Sequence, residues 1–267
     1  MKSLKLFGLT VLVFLIAKPP AWAQDDCAWF EGFPVAGGFV MPIDRANIGP
    51  KGQRWEFHEN GQSHGSLSNN GIPHNGEDWN WGRERKDYGE PLYAIADGIV
   101  ERVWNTDAAD SWGKCLLIKH YAPLGRSFVT GSGDRVNCVY AFYGHLSEIL
   151  IRRDPDNPAL DILAEDIVAE VTEVRQGWEV AKLGNGNGYY GDQAHLHFEI
   201  RTSEGGLING DEGPGYDWNL STRLVPNEFI YNNELVGGDS FSVWVHPYED
   251  TQGSWDGIAR FFRSGSA

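Results

Sequence analysis

Apolar and polar positions alternate with a period of two through Ala194-His195-Leu196-His197-Phe198-Glu199-Ile200, which predicts a β-strand with Leu196, Phe198 and Ile200 on one face. His195, His197 and Glu199 then share the opposite face, successive members one pleat apart. Similar patterning predicts strands over Leu92–Ala96 and Ile99–Trp104, joined as a hairpin through the two-residue turn Asp97-Gly98. Further strands are expected over Lys114–His120, Val136–Tyr143 and Glu179–Leu183. Residues 24–73 read as irregular and strand-like, with turn clusters at Gly37-Gly38, Gly49-Pro50-Lys51-Gly52 and Ser68-Asn69-Asn70-Gly71. Residues 152–174 read as a helical or coil insertion carrying the breaker Asp154-Pro155-Asp156-Asn157-Pro158. The run Gly184-Asn185-Gly186-Asn187-Gly188 leads into a strand rather than a helix, so it is a loop and not a nucleotide-binding fingerprint. After Arg223-Leu224-Val225-Pro226 the pattern fades, and Ile258–Phe262 reads as one amphipathic turn in a tail over 231–267. The fold expected from this pattern is mainly β, built on an antiparallel sheet, without internal repeats.

Composition sharpens that picture. With 33 Gly and 11 Trp in 267 residues, the chain suits a turn-rich β-protein with aromatic packing better than a helical bundle. Lys2 and Lys5, the apolar stretch Leu6–Ala17 and Ala21-Trp22-Ala23 before Gln24 have the form of a secretory signal peptide over residues 1–23, too short and wrongly flanked for a membrane anchor. Cys27 lacks the preceding pattern of a lipid-modified cysteine, so a free, secreted or periplasmic monomer is expected. The domain is placed at 24–230, with its core over about 40–230. Removing Lys2, Lys5 and Lys18 from the formal charge of −15 leaves −18, because residues 1–23 contain no acids. No basic patch appears, which excludes nucleic acid as a partner. Cys27, Cys115 and Cys138 allow three disulfide pairings, and nothing in the sequence chooses among them.

The chemistry lies in histidines and one carboxylate. Pro73-His74-Asn75-Gly76-Glu77-Asp78-Trp79 places His74 and Asp78 on a loop entering a strand, where Gly76 permits a bend that brings imidazole and carboxylate together. His145 ends its own strand in Tyr143-Gly144-His145-Leu146-Ser147. Three ligands drawn from histidine and carboxylate, with a fourth position left to water, form the pattern of a catalytic zinc, whereas a structural site would close all four positions, usually with cysteine. Two further histidines supply general acid–base groups.

Four segments occur in one order: His74-Asn75-Gly76-Glu77-Asp78, Pro91-Leu92-Tyr93-Ala94-Ile95-Ala96-Asp97-Gly98-Ile99-Val100, Tyr143-Gly144-His145-Leu146-Ser147 and His195-Leu196-His197-Phe198-Glu199-Ile200. In this the chain resembles the lysostaphin-type (LytM-like) zinc metallopeptidases, which include the β-lytic enzymes, over roughly residues 40–230. The resemblance implies an antiparallel sheet groove with few short helices and Zn2+ on its floor. It implies His74, Asp78 and His197 as metal ligands, and His145 and His195 as catalytic residues whose separate roles stay open. The implied substrates are peptidoglycan peptides, cut in their stems or cross-links. A non-catalytic wall-binding or activator module on the same fold, and an extracellular protease of proteins, are the competing readings. A cupin-like oxygenase is disfavoured, because Glu199 follows His197 too closely and the His74/Asp78 segment has no place in it.

The remaining candidates take plainer expectations. His120 is read as a packing histidine, His58, His64 and His246 as surface residues, and Trp79 and Trp81 as core or rim. Glu77 and Glu199 are either carboxylates that orient a ligand imidazole or, more commonly for the type, surface groups. Tyr143 is a possible donor near the site. The sequence departs from the family at Gln193, where relatives usually carry glycine, and in the longer segments 123–134 and 152–174, which would wall the groove, narrow it or bind a partner.

Overall fold

The strand Cys138–Leu146 is buried at every position and lies in the middle of the larger sheet. The computed structural model describes residues 27, 32–43, 63–80, 87–105, 111–154, 156–204, 215–217 and 219–234, with the backbone of 56–57, 243–249 and 255–261. The signal segment, His58 and Trp81 lie outside the described residues.

In chain order the strands begin with β1 (Glu56–Phe57), β2 (Glu77–Asn80), β3 (Pro91–Tyr93), β4 (Gly98–Asn105) and β5 (Lys114–Tyr121). A small pair, β6 (Phe128–Val129) and β7 (Arg135–Val136), precedes β8 (Cys138–Leu146) and β9 (Glu148–Arg152). Next come β10 (Ile162–Leu163), β11 (Glu173–Val174), β12 (Glu179–Lys182), β13 (Leu196–Arg201) and β14 (Arg223–Leu224). One helix, α1 (Pro226–Asn232), and the hairpin β15 (Val243–Glu249) with β16 (Trp255–Phe261) complete the order.

The larger sheet runs β1-β2-β13-β8-β5-β4-β11, with β14 also paired to β13, and the smaller runs β10-β9-β12-β3. Every strand pair in both is antiparallel. Between the two sheets lies the main core. Leu116, Ile118, Ala141, Tyr143, Leu196, Phe198 and Ile200 of the larger sheet meet Leu92, Ile149, Ile151 and Val180 of the smaller. The mainly β, antiparallel expectation therefore holds, and the alternation read at 194–200 sends its apolar residues into this core.

The other face of the larger sheet carries Cys115, Leu117, Tyr121, Cys138, Tyr140 and Phe142, with Phe33 and Val35 packed over part of it. Cys27 is joined to Cys138 by a disulfide, so the N-terminal segment is tied to this face. Of the three pairings open in the sequence this is the one formed, and Cys115 is buried outside it.

Two expectations are corrected. Leu92–Ala96 and Ile99–Trp104 are not a hairpin: β3 pairs with β12 in the smaller sheet, and β4 pairs with β5 and β11 in the larger. Asp97-Gly98 carries the chain between sheets. The Asp97 carboxylate accepts hydrogen bonds from Arg175 and from the Gln176 N–H, which anchors the turn from outside. The described part of 152–174, expected as helix or coil, is coil with 3-10 turns at Pro158–Leu160 and Ala164–Asp166 and the short strands β10 and β11. Of the amphipathic turn expected at Ile258–Phe262, residues 258–261 are instead part of β16, which pairs with β15 along its length, and Phe262 lies outside the described residues. The domain boundary at 230 falls inside α1, and Asn233 at its end bonds both the N–H and the carbonyl of Val129. Helix continuity and that side-chain clamp hold the chain to the domain past the point where hydrophobic patterning fades.

The described residues of 123–134 and 152–174 pack elsewhere than at the sheet edge that carries β2. Phe128 packs edge-on against Phe39 and Phe229 in the main core, and β11 pairs with β4 at the sheet edge farthest from β2. The disulfide spans a sequence separation of 111 residues, and closing so long a loop limits the unfolded chain. Cys27→Ser is expected to lower stability by about 2–4 kcal/mol in urea unfolding, with the spectrum of the folded state unchanged.

Candidate metal and acid–base site

His197 and Asp78 are direct partners across β13 and β2, and on its other side His197 lies opposite Gly144 of β8. Cross-strand partners share a face, so the imidazole and the carboxylate meet over the side of the sheet away from the main core. His74 arrives from a loop pinned on both flanks. Its N–H donates to the Ser66 carbonyl, its carbonyl accepts from Gly65, and the next N–H, of Asn75, donates to Gly215. Gly76 permits the approach: a Cβ there would lie 2.3 Å from the Phe198 carbonyl oxygen and 2.7 Å from Glu199 Cγ.

The result is three converging donors. His74 Nε2 lies 3.0 Å from His197 Nδ1, His197 Nδ1 lies 2.8 Å from Asp78 Oδ1, and His74 Nε2 lies 3.4 Å from Asp78 Oδ1. All three side chains are buried. These separations suit the edges of a tetrahedral site with N and O ligands, about 3.3 Å for zinc bonds of about 2.0–2.1 Å. Two imidazole nitrogens and a carboxylate oxygen turned on one another out of water call for a cation between them, a proton or a metal. The residues therefore fit a metal such as zinc, and together they form a group that could hold one.

Beneath His197 lies a carboxylate met from four sides. Glu199 Oε1 takes the His197 Nε2 proton at 2.7 Å and the Gly215 N–H at 2.8 Å, while Oε2 faces Arg201 Nε at 2.7 Å and Arg223 Nε at 3.4 Å. That bond fixes the tautomer and leaves His197 Nδ1 for the donor cluster. The surface role expected for Glu199 is thus corrected: it is 0% exposed, because Arg201 and Arg223 supply the charge that lets it be buried. Burial alone would raise its pKa, but Arg201, the His197 bond and Arg223 hold it well below the carboxylate range. Glu77, one residue from Asp78, points to the opposite side, where it accepts from Trp79 Nε1 and from the Asn227 N–H. Burial pushes its pKa up to about 8. His64, expected at the surface, is half-buried behind the site, close enough to feel His74 and Glu199.

His145 reaches this face through an irregularity. Leu116 pairs with Tyr143, but Lys114 pairs with Leu146, so β8 carries one residue more than β5 over this stretch. Without that bulge His145 would lie on the same side as Tyr143, in the main core. Its backbone is left-handed, φ 64°, a conformation few non-glycine residues adopt. Trp112 stacks on the imidazole at 4.9 Å and 13°, and the Trp112 carbonyl accepts the His145 N–H. His195 lies beside it, ring centroids 4.6 Å apart, with His195 Nδ1 donating to the Gln193 carbonyl. The departure from glycine at 193 thus leaves a backbone carbonyl as the anchor. Burial, and then the neighbouring His195 and His197, hold the His145 pKa well below its ordinary value.

All five sequence candidates therefore gather at one place, in a trio of His74, Asp78 and His197 and a pair of His145 and His195. Tyr143 does not join them: its hydroxyl donates to the Tyr93 carbonyl on the core side. His120 is fully buried, bonded to the Asp97 carbonyl and packed edge-on against Phe39, and burial lowers its pKa to about 4. Trp79 is core. Sequence reading missed Trp112 and Tyr190 at the histidine pair and Tyr216 beside His74. Trp112, Tyr216 and the His145 side of Tyr190 meet neighbours distant in sequence, which only the fold assembles.

In the metal-free protein burial opposes an imidazolium at His197, but the bonds and charges of Asp78 and Glu199 raise its pKa to about 9. A raised value stabilises the fold fully below the unfolded pKa of about 6.5 and is lost as pH rises through about 9. Chelated wild-type protein is expected to lose urea stability across that window. In His197→Gln only the part of the fall belonging to Glu77, complete near pH 8, should remain.

No protein-family model matches the chain, and no curated protein matches its sequence. Among solved structures, a zinc-containing peptidase from Vibrio cholerae is similar at 21% identity over 62% of this chain and 37% of that one, with a TM-score of 0.37. SpoIIQ in complex with SpoIIIAH gives 14% identity over 72% and 99%, with a TM-score of 0.41. Lysostaphin gives 14% over 75% and 60%, with a TM-score of 0.35. The chain thus spans well under half the length of the Vibrio peptidase.

Proposed function

We propose that the protein is an exported zinc metalloendopeptidase that hydrolyses peptide bonds in the stems or cross-links of peptidoglycan. The observation that carries the reading is the convergence of His74 Nε2, Asp78 Oδ1 and His197 Nδ1 beside the adjacent imidazoles of His145 and His195. The order of the four motifs, resembling the lysostaphin-type enzymes, supports the substrate class.

His74, Asp78 and His197 would hold the zinc, with Glu199 orienting His197. Bound zinc supplies Lewis acidity and a water whose pKa is brought toward neutrality. The rest falls to the histidine pair. His195 commits its Nδ1 proton to the Gln193 carbonyl, which leaves Nε2 with a lone pair, and His145 is held to the backbone of Ser111. Two imidazoles this close do not both take a charge, so the pair takes up one extra proton at a time. That proton is taken from the attacking water and returned to the leaving amine. The exposed rings of Tyr189 and Tyr216 offer flat apolar surface at the rim for the flanking peptide.

Mature protein incubated with peptidoglycan and with casein, with and without a chelator, separates the readings. Chelator-sensitive release of muropeptides is expected. Cleavage of casein alone would select a protease of proteins, and cleavage of neither would select a wall-binding module. His197→Ala is expected to lose zinc and turnover together. His195→Ala should keep its zinc while turnover falls by about 10²–10⁴-fold. Full hydrolysis by metal-stripped protein would overturn the zinc mechanism.

A further inference from the structure

We propose that Tyr190 is a positioning residue that holds the His145 and His195 imidazoles in apposition; this rests on the assignment of those histidines as the acid–base pair. The three rings form a nearly equilateral triangle. Tyr190 lies 4.7 Å from His145 at 66° and 4.7 Å from His195 at 78°, and the histidines are 4.6 Å from each other. Both contacts are edge-to-face, the arrangement in which aromatic rings attract and fix one another's tilt. Trp112 closes the other side of His145. Each imidazole is therefore fixed by a ring contact as well as by a backbone acceptor.

The acceptors also lead back to Tyr190. The Gln193 N–H donates to the Tyr190 carbonyl at 3.0 Å, and the Gln193 carbonyl in turn receives His195 Nδ1–H. The Tyr190 hydroxyl bonds Ser111, the residue whose backbone bonds His145. Tyr190 itself is anchored by its N–H to the Asn185 carbonyl. Gly186, at φ +61°, keeps this loop tight: a Cβ there would lie 2.1 Å from the Ser111 carbonyl oxygen and 3.1 Å from the Tyr190 ring. One side chain thus joins the loop before β13 to the segment before β5, each of which carries the anchor of one histidine. Its phenol stays neutral, since burial pushes its pKa up to about 12, so it acts here as a ring and a hydrogen-bond partner and not as a base. None of its ring contacts is to His74 or His197, which separates its role from metal binding.

The test compares zinc-loaded wild type, Tyr190→Phe and Tyr190→Ala. Zinc stoichiometry is expected to match wild type in both variants. Tyr190→Phe keeps the ring and loses the Ser111 link, so kcat on peptidoglycan should fall by about 3-fold. Tyr190→Ala should lower kcat by about 10–100-fold with KM changed less than about 2-fold, as expected for misoriented groups around a normally bound substrate. Imidazole ¹⁵N spectra of the same zinc-loaded samples supply a readout independent of turnover. His195 should be a single Nδ1–H tautomer in wild type and Tyr190→Phe, and an exchanging mixture in Tyr190→Ala. Wild-type kcat or wild-type spectra in Tyr190→Ala would overturn the proposal. So would equal losses in the two variants, which would make the hydroxyl itself the acting group. Absence of hydrolysis in the wild type would refute the peptidase reading alone, leaving the spectra to decide on Tyr190.

Discussion

A single buried carboxylate supports the site. Glu199 receives the Nε2 proton of His197, the N–H of Gly215 and the guanidinium of Arg201, with Arg223 close by. Through His197 it determines which ring nitrogen faces the donor cluster. Through Gly215, whose carbonyl accepts from Asn75, it also steadies the loop that carries His74. Two of the three candidate ligands therefore depend on one anion, and Arg201 offsets the cost of burying it, itself lying over the Phe142 ring at 4.5 Å. Gly76 completes the arrangement by letting the His74 loop rest against Glu199 without a Cβ between them.

The two faces of the large sheet divide the labour. One is committed to the core against the smaller sheet, which makes β13 and β8 rigid. The other carries polar chemistry on that rigid floor, the condition under which a site keeps its geometry. The bulge in β8 is where the division is broken on purpose. An unbulged strand would place His145 among Leu116 and Ile151, whereas one extra residue moves it beside His195, at the cost of a left-handed backbone.

Much of this could be read from the chain. The period-two pattern of 194–200 sufficed to put His195 and His197 on one side and Leu196, Phe198 and Ile200 on the other, because side-chain direction along a strand follows from backbone geometry alone. Motif order then singled out His74, Asp78 and His145. The same local reasoning failed at Asp97-Gly98. A turn dipeptide between apolar runs is equally a hairpin and a crossover between sheets, and the choice depends on partners such as β12 and β5, far away in sequence. It failed also at Glu199 and Glu77, two carboxylates indistinguishable by type. One is oriented by arginines toward His197, and the other faces away and is capped by a helix N–H.

By itself, then, the sequence determined a mainly β chain, the faces of its strands and the identity of five chemical groups, since these depend on periodicity and side-chain type. The tertiary structure decided the rest. It chose the Cys27–Cys138 pairing, the burial of Glu199 behind His197, the bulge that turns His145 toward His195, and the meeting of Trp112 and Tyr190 around that pair. Most of these are contacts between residues distant along the chain, and the two local ones, Glu199 with His197 and Tyr190 with His195, depend on distant partners, Arg223 and Ser111. Such contacts are selected by the packing of two sheets and the cost of burying unpaired charge, neither of which has a local signature.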